Sequence, residues 1–163
     1  NLEVGDARKL DIISFKKKFD VIINTENIEH IINAEKLIKD TSFLLNDGGL
    51  LYLTTPNILY GKVYRDSLIK RNPIEDGGHV VRGYSEEKLK AMLEKYNLHI
   101  ISTCYITGPL SRKLCSFQRL CPFLILKFFY IPISIIFNFL DELFFKNNKK
   151  NHSIAIIAEK IIV

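Results

Sequence analysis

A strand–helix–strand pattern near the start of the chain constrains its fold more than any other feature. Residues 19–23 and 50–54 are compact apolar runs, which is the pattern of strands buried on both faces. Between them, apolar side chains repeat at helical spacing over residues 33–45. Two strands joined by one helix predict a right-handed βαβ unit with parallel strands. The chain is therefore expected to be an α/β protein.

Weaker signals place other elements around this unit. Asn46, Asp47 and two glycines predict a turn at residues 46–49. Ser85 precedes two glutamates and an apolar helical face, so it is expected to cap a second helix that ends at Asn97. The polar stretch 57–84 predicts a long loop. Three more strands are expected, over residues 2–4, 98–106 and 153–163.

The apolar segment 120–140 carries a single charged side chain, Lys127. By length and polarity this segment is a candidate membrane span. However, one crossing would separate the strand predicted at 153–163 from the sheet that it should join. Pro122 and Pro132 are also expected to interrupt a helix here.

These observations favour an apolar insertion with a helix–break–helix form over roughly 109–147. Three interpretations stay open for it. The insertion is a helical cover packed on the protein, a hairpin in peripheral contact with a membrane through 120–145, or a true span. Basic residues on both sides of the segment are compatible with the second interpretation.

Composition limits the class of protein. The 163 residues suit one domain, and 47% hydrophobic with 25% charged residues excludes wholesale disorder. Three cysteines without a C-x-x-C pair exclude a disulfide framework and argue for a reduced, cytoplasmic compartment. The net charge of +5 is spread over short clusters without interleaved aromatic residues, which argues against a nucleic-acid partner.

Four motifs occur in order, and together they resemble a known family. They are Gly5-Asp6-Ala7, the run from Phe19 through Glu26-Asn27-Ile28-Glu29-His30, the run from Leu44 to Asn57 that ends in Thr-Pro-Asn, and His79 to Leu89. This combination is similar to class I S-adenosylmethionine-dependent methyltransferases of the type 11/23-like group. The resemblance implies a Rossmann-like three-layer sandwich with a mostly parallel sheet and a final antiparallel strand, formed here near residues 152–160.

The resemblance also implies that this single domain, residues 1–163, is N-terminally truncated. The family binds its cofactor through a first strand ending in a glycine-rich loop, and the resemblance implies that this chain starts at the third strand. Residue 1 is Asn and the only methionine is Met92, which agrees with a fragment, a processed product or a trimmed chain. We therefore expect the chain alone to be inactive and to fold poorly or only over residues 19–163.

Four residues are candidates for binding S-adenosylmethionine. By resemblance, Asp6 accepts a hydrogen bond from the adenine amino group, with the backbone N–H of Ala7 beside it. Asn24 and Thr25 follow a predicted strand at its carboxyl end, where open α/β sheets bind their ligands. We expect both to line the methionine end of the cofactor.

Glu26, Glu29 and His30 stand at i, i+3 and i+4, which on a helical turn places three side chains on one face. With His79 they form a mixed oxygen and nitrogen set that suits Mg, Mn or Zn. Small-RNA 2′-O-methyltransferases and ubiquinone-pathway O-methyltransferases share the E-x-x-E-H element. That likeness implies a metal holding vicinal oxygens of the acceptor.

Two alternatives to the metal remain. His30 or His79 is a catalytic general base, or His30 packs the turn and His79 orders the loop. The function expected from all these features is O-methylation of a small-molecule, glycan or lipid-linked acceptor, in the cytoplasm or in association with a membrane. The alternative is a non-catalytic, truncated methyltransferase-like module that binds a partner or a membrane surface.

Overall fold

The computed structural model of the chain describes residues 4–12, 15, 17–60, 77–120 and 124–162. The strand predicted at 2–4 lies mostly outside these residues. Val4, its described end, is fully exposed and is not part of a strand. At Val4 the predicted strand is therefore absent, and residues 2 and 3 lie outside the described residues.

The described strands form one sheet in the order β1-β2-β4-β3. Strand β1 is parallel to β2, whereas β4 is antiparallel to both β2 and β3. Three strands therefore share one direction and the last strand runs against them, as predicted. The strands are β1 (Phe19–Thr25), β2 (Leu45–Pro56), β3 (Leu98–Ile106) and β4 (Ser153–Lys160).

Two helices cover one face of this sheet. Helix α1 (Ala34–Leu44) begins after Asn33, whose side chain accepts a hydrogen bond from the Lys36 N–H. Helix α2 (Glu86–Glu94) is capped by Ser85, and the chain leaves it through Asn97 at φ 59°, both as predicted. Their apolar faces form one core with alternate side chains of the strands, including Leu37, Leu51, Leu53, Leu89, Leu93, Ile154 and Ile156.

The opposite face of the sheet is exposed along β1 in the described part of the chain. Val21 and Ile23 on this face are more than half exposed. Side chains alternate between faces along a strand, so their neighbours Ile22 and Asn24 point into the core side instead. The described residues thus supply the sheet and one helical layer of the Rossmann-like architecture.

The turn predicted at 46–49 lies inside β2 instead of ending before it. Phe19 pairs with Leu45 and Val21 with Leu50, so five steps of β2 oppose two steps of β1. Gly48 takes a φ of 75° in this bulge. The turn residues are therefore accommodated as an irregularity within the ladder.

The chain between β3 and β4 forms a helical hairpin, as predicted. It comprises α3 (Pro109–Leu120) and α4 (Leu124–Phe145), which pack against each other. The expected interruption at Pro132 is wrong: α4 continues through it. An internal proline forfeits one helical hydrogen bond, and packing on α3 holds the helix on both sides of it. Within the described ranges, no helix combines the length and the apolar content that a bilayer crossing requires.

Candidate active site

The carboxyl ends of β1 and β2 meet at one edge of the sheet. Thr25 pairs with Thr54, and the backbone N–H of Glu26 donates to the carbonyl oxygen of Thr54 at 3.0 Å. The Glu26 N–H also lies 3.2 Å from Oγ1 of Thr54. The two parallel strands of the predicted βαβ unit therefore end side by side.

A buried carboxylate lies at this junction. A 3₁₀ turn, Ile28–His30, follows β1 and directs Glu29 inward, where its side chain is 0% exposed. Thr55 in β2 donates from Oγ1 to Oε2 of Glu29 at 3.0 Å. Burial raises the pKa of Glu29, while its own backbone N–H, Thr55 and His30 favour the ionised form. The carboxyl is therefore poised to take up a proton or a cation.

The loop containing His79 is fixed against this turn by backbone contacts. The Glu29 carbonyl accepts hydrogen bonds from the N–H groups of Val80 (2.9 Å) and Val81 (3.2 Å). Further along, Tyr84 N–H donates to the Pro56 carbonyl at 2.9 Å. Gly83 has φ 148°, and a Cβ there would lie 2.0 Å from the Pro56 oxygen. Only glycine fits this close approach.

His30 has a defined tautomer. Its Nδ1 lies 3.0 Å from the Gly78 carbonyl oxygen, and a carbonyl can only accept, so Nδ1 carries the proton. In the neutral ring, Nε2 then has a free lone pair. That Nε2 lies 3.8 Å from Oε1 of Glu29. The lone pairs of His30 Nε2 and Glu29 Oε1 therefore face each other. A proton or a cation between the two atoms would relieve their repulsion.

His79 completes the cluster. Its ring meets that of His30 edge-on, with centroids 4.5 Å apart and an interplanar angle of 74°. Burial lowers the pKa of His79, and the nearby His30 and Arg112 lower it further against the opposing charge of Glu26. His79 is therefore neutral at physiological pH.

Ligand atoms of Glu29, His30 and His79 all lie within 4.8 Å of one another. Among the described residues, Oε1 of Glu29 and Nδ1 of His79 are buried without a hydrogen-bond partner. Buried polar atoms are rarely left unsatisfied. The cluster therefore has unused capacity for a ligand, and its oxygen and nitrogen donors fit a divalent cation.

Glu26 lies near the site, but its backbone does not have the helical geometry that its spacing predicts. It precedes the 3₁₀ turn and has φ 47°, so the helical i, i+3, i+4 geometry is wrong for it. Its carboxyl is nevertheless close enough for charge interactions with Glu29 and His79. Partial burial, followed by the charge of Glu29, raises the pKa of Glu26.

The four predicted cofactor residues are placed in three settings. Asn24 is buried, and within the described residues its Oδ1 has no partner. Thr25 points to the other face and is exposed. Asp6 is bound by Arg8, whose guanidinium holds the pKa of Asp6 at about 2. Ala7 begins a 3₁₀ helix, Ala7–Ile12, that packs on α1.

Other residues of the site were not predicted as site residues from the sequence. Thr55 binds Glu29, Gly78 orients His30, and Arg112 acts on His79 from α3. Tyr84 is buried, and burial together with the charge of Glu29 raises its pKa to about 12. Of these, Thr55 alone was detectable, as a polar residue at the end of an apolar strand.

A cleft of about 580 Å³ lies elsewhere, between the first 3₁₀ helix and α1, with Asp11, Phe15, Lys36 and Phe43 in its lining. It does not include the Glu29, His30 and His79 cluster. The chemistry-bearing groups are at the strand ends, so we assign the candidate active site there.

Comparison with known proteins identifies the family of this chain. A family model described as a methyltransferase domain matches residues 4–103. This match covers more than half of the chain, and the chain belongs to that methyltransferase family.

A ubiquinone biosynthesis O-methyltransferase from Pelagibacter ubique (strain HTCC1062) is 40% identical over 47 residues, which are 29% of this chain and 20% of that protein. Among solved structures, the (4+2)-cyclase SpnF matches with a TM-score of 0.54 at 15% identity, over 99% of this chain and 56% of that chain. An S-adenosylmethionine-dependent methyltransferase from Clostridium acetobutylicum ATCC 824 matches with a TM-score of 0.50 at 15% identity, over 94% and 63% of the two chains.

The chain thus spans less than two thirds of each of these relatives. At such identities the structural matches concern the fold, which is Rossmann-like. One fold hosts different reactions, so the chemistry must be argued from the site.

Proposed function

We propose that this chain is part of an S-adenosylmethionine-dependent methyltransferase that methylates an oxygen of a small-molecule, glycan or lipid-linked acceptor. The observation that carries the proposal is the cluster of Glu29, His30 and His79 at the carboxyl edge of the parallel strands. Family membership supports methyl transfer. The name of the Pelagibacter relative supports an oxygen acceptor.

Methyl transfer requires an acceptor oxygen whose lone pair attacks the methyl carbon. The carbon–sulfur bond then breaks, sulfur keeps its electron pair, and the acceptor loses a proton. His30 is suited to take that proton, because its Nδ1–H is held by Gly78 and its Nε2 carries the lone pair. The lowered pKa of His79 keeps this second imidazole neutral beside it. We assign the catalytic role to His30, with His79 as its neighbouring alternative.

The cofactor assignments follow the sheet edge. Asn24 offers a buried amide oxygen, Oδ1, that has no partner among the described residues at the end of β1 and is suited to the polar methionine end of S-adenosylmethionine. Thr25 would contribute from the outer side. Asp6 and Ala7 remain our candidates for the adenine, and Asp6 must exchange its contacts with Arg8 to bind it.

A divalent cation fits the same cluster as an alternative to general-base catalysis by His30, because it would occupy the same Nε2 lone pair. Glu29 Oε1, His30 Nε2 and His79 would hold it, with Glu26 close by, and their donor set suits Mn or Zn better than Mg. A bound cation would lower the pKa of an acceptor hydroxyl and orient it.

The function is tested by isothermal titration of the intact protein with S-adenosylmethionine. We expect saturable binding, and a reduced affinity for Asn24→Ala. His99→Ala, on the exposed side of β3, is the control and should bind as the wild type does. Absence of detectable heat would refute the enzyme proposal and favour the alternative, a non-catalytic module that uses the apolar hairpin to bind a surface.

The metal is tested separately by titrating Mn²⁺ while following its electron paramagnetic resonance signal. Loss of free-ion signal is expected for the wild type and for His99→Ala, but not for a Glu29→Ala, His79→Ala double variant. Identical curves for all three proteins would show that the cluster holds no metal.

A further inference from the structure

Between residues 131 and 144, the outward side of α4 is largely apolar. Its opposite side packs on α3, yet seven large apolar side chains between residues 131 and 144 are 41–67% exposed. We call them the outer stripe: Ile131, Ile133, Ile135, Ile136, Phe139, Leu143 and Phe144. A contiguous exposed apolar surface of this kind marks an interaction site more often than a chance exposure.

The orientation of α4 is fixed by contacts on its inner side. Asp141 is buried and accepts hydrogen bonds from the N–H groups of Leu110 (3.1 Å) and Ser111 (2.7 Å), which caps α3. Ser111 Oγ lies 2.7 Å from Oδ1 of Asn138. The outer stripe is therefore held outward, because the other side of the helix is already engaged.

The hairpin also carries the whole net charge of the chain. Residues 109–150 contain seven basic and two acidic side chains, whereas the rest of the chain contains sixteen of each. The basic residues flank the stripe: Arg112 and Lys113 lie on α3, and Lys146, Lys149 and Lys150 follow α4. An apolar stripe with a basic rim is complementary to a bilayer that contains anionic lipids.

Topology limits how the hairpin can meet a bilayer. Ile106, before α3, pairs with Ser153, after α4, so both ends of the hairpin are anchored at one point of the sheet. Asn57 strengthens this anchor by donating to the carbonyls of Lys149 (2.8 Å) and Asn151 (3.0 Å). Such an element leaves and returns on the same side, so it can lie in the interface.

From these features we propose that α3 and α4 form a peripheral membrane-binding element, whose outer stripe inserts into the interface of an anionic lipid bilayer. The element lies beside the candidate active site, because Arg112 of α3 acts electrostatically on His79. Membrane binding would thus bring that edge of the sheet to the lipid surface. The proposal does not depend on the reaction catalysed.

Cosedimentation of the full chain with lipid vesicles tests the proposal without cofactor or acceptor. Vesicles of phosphatidylcholine with about one third phosphatidylglycerol should bind the protein at least ~10-fold more tightly than pure phosphatidylcholine vesicles, and added salt should weaken binding. An Ile135→Asp, Phe139→Asp double variant should lose at least ~10-fold in partitioning.

Ile162→Asp is the matched control, because Ile162 is also exposed but follows β4 and lies away from the hairpin. It should bind as the wild type does, and far-ultraviolet circular dichroism should confirm that all variants are folded. The proposal is overturned if the anionic vesicles do not bind the wild type, or if the stripe variant binds equally well. It is also overturned if sedimentation velocity reveals a wild-type dimer that the stripe variant abolishes, since a second copy then covers the stripe.

Discussion

The candidate active site and the outer stripe of α4 depart from the usual distribution of side chains in opposite ways. At the site, the Glu29 carboxylate has no exposed surface. On the stripe, Phe144 is 67% exposed. Buried polar groups and exposed apolar surfaces are the informative exceptions in a folded protein. In our proposals each is completed by a molecule other than the chain, a polar ligand in one region and lipid in the other.

The two regions also differ in how the chain supports them. The site depends on backbone contacts that tolerate little change, such as those around Gly83. The position of α4 does not depend on the exposed side chains of the stripe, because contacts on the inner side of the helix hold it in place. Substitutions should therefore lower the free energy of unfolding most at the candidate active site and by an intermediate amount on the inner side of the hairpin. On the stripe they should change it very little.

The largest effect is expected for Gly83→Ala. A Cβ would meet the Pro56 carbonyl oxygen at 2.0 Å, at a φ of 148° that L-residues rarely adopt. We expect the free energy of unfolding, measured in urea, to fall by about 3 kcal/mol. Gly77→Ala is the control: φ is 93°, but no atom lies within 4 Å, so a loss of only about 1 kcal/mol is expected. Equal losses would mean that the loop is not docked on β2.

The next effect concerns two neighbouring acidic residues of α4. Asp141 is buried and caps α3, whereas Glu142 is exposed and pairs with Lys146 at 3.5 Å. Asp141→Ala should lower the free energy of unfolding by about 2 kcal/mol, because two N–H groups lose their acceptor. Glu142→Ala should change it by less than about 0.5 kcal/mol. The reverse order would show that the hairpin is not fixed by its inner side.

Much of this fold was predictable because it depends on local periodicity. The pattern of apolar residues predicted β1, α1, β2 and α2, Ser85 was correctly predicted as the cap of α2, and Asn97 was correctly predicted as the left-handed residue after it. The bulge in β2 was not predictable, because it depends on pairing with β1. Pro132 misled for a similar reason, since packing on α3 outweighs a local helix breaker.

The candidate site was predictable in residue type and less so in geometry. His79 reaches His30 through hydrogen bonds from Val80 and Val81 to Glu29, and no sequence period records such contacts. Glu26 shows the opposite failure. Its spacing predicted a shared helical face, but one left-handed residue before the turn changes the direction of the chain.

A third prediction uses pH to test the buried carboxylate. Because burial raises the pKa of Glu29 above its unfolded value of 4.5, the native state holds its proton more tightly. The contribution of Glu29 to the free energy of unfolding is therefore fully present below pH 4.5. It is lost as the pH rises through the raised pKa, by at most about 1.4 kcal/mol per pH unit. Glu29→Gln should remove this loss.

The difference between wild type and Glu29→Gln reports the titration of Glu29 together with its charge interaction with Glu26, while His79 titrates in both proteins. Thr55→Val should enlarge the loss and extend it to higher pH, since the variant removes a donor that favours the ionised carboxylate. Parallel unfolding curves for wild type and Glu29→Gln from pH 4 to 8 would contradict the burial of this charge.

The smallest effect is expected on the outer stripe. Phe139 is 65% exposed, and serine and phenylalanine have similar helix propensities, so Phe139→Ser should alter the free energy of unfolding by less than about 0.5 kcal/mol. Leu37→Ala, at a position 2% exposed in α1, should cost about 3 kcal/mol in the same measurement. If Phe139→Ser were as costly as Leu37→Ala, the ring would have to be covered in the free protein. The contrast between the buried polar cluster and the exposed apolar stripe of this protein would then fail. If the loss in the free energy of unfolding also grew with protein concentration, a second copy of the chain would be identified as the cover.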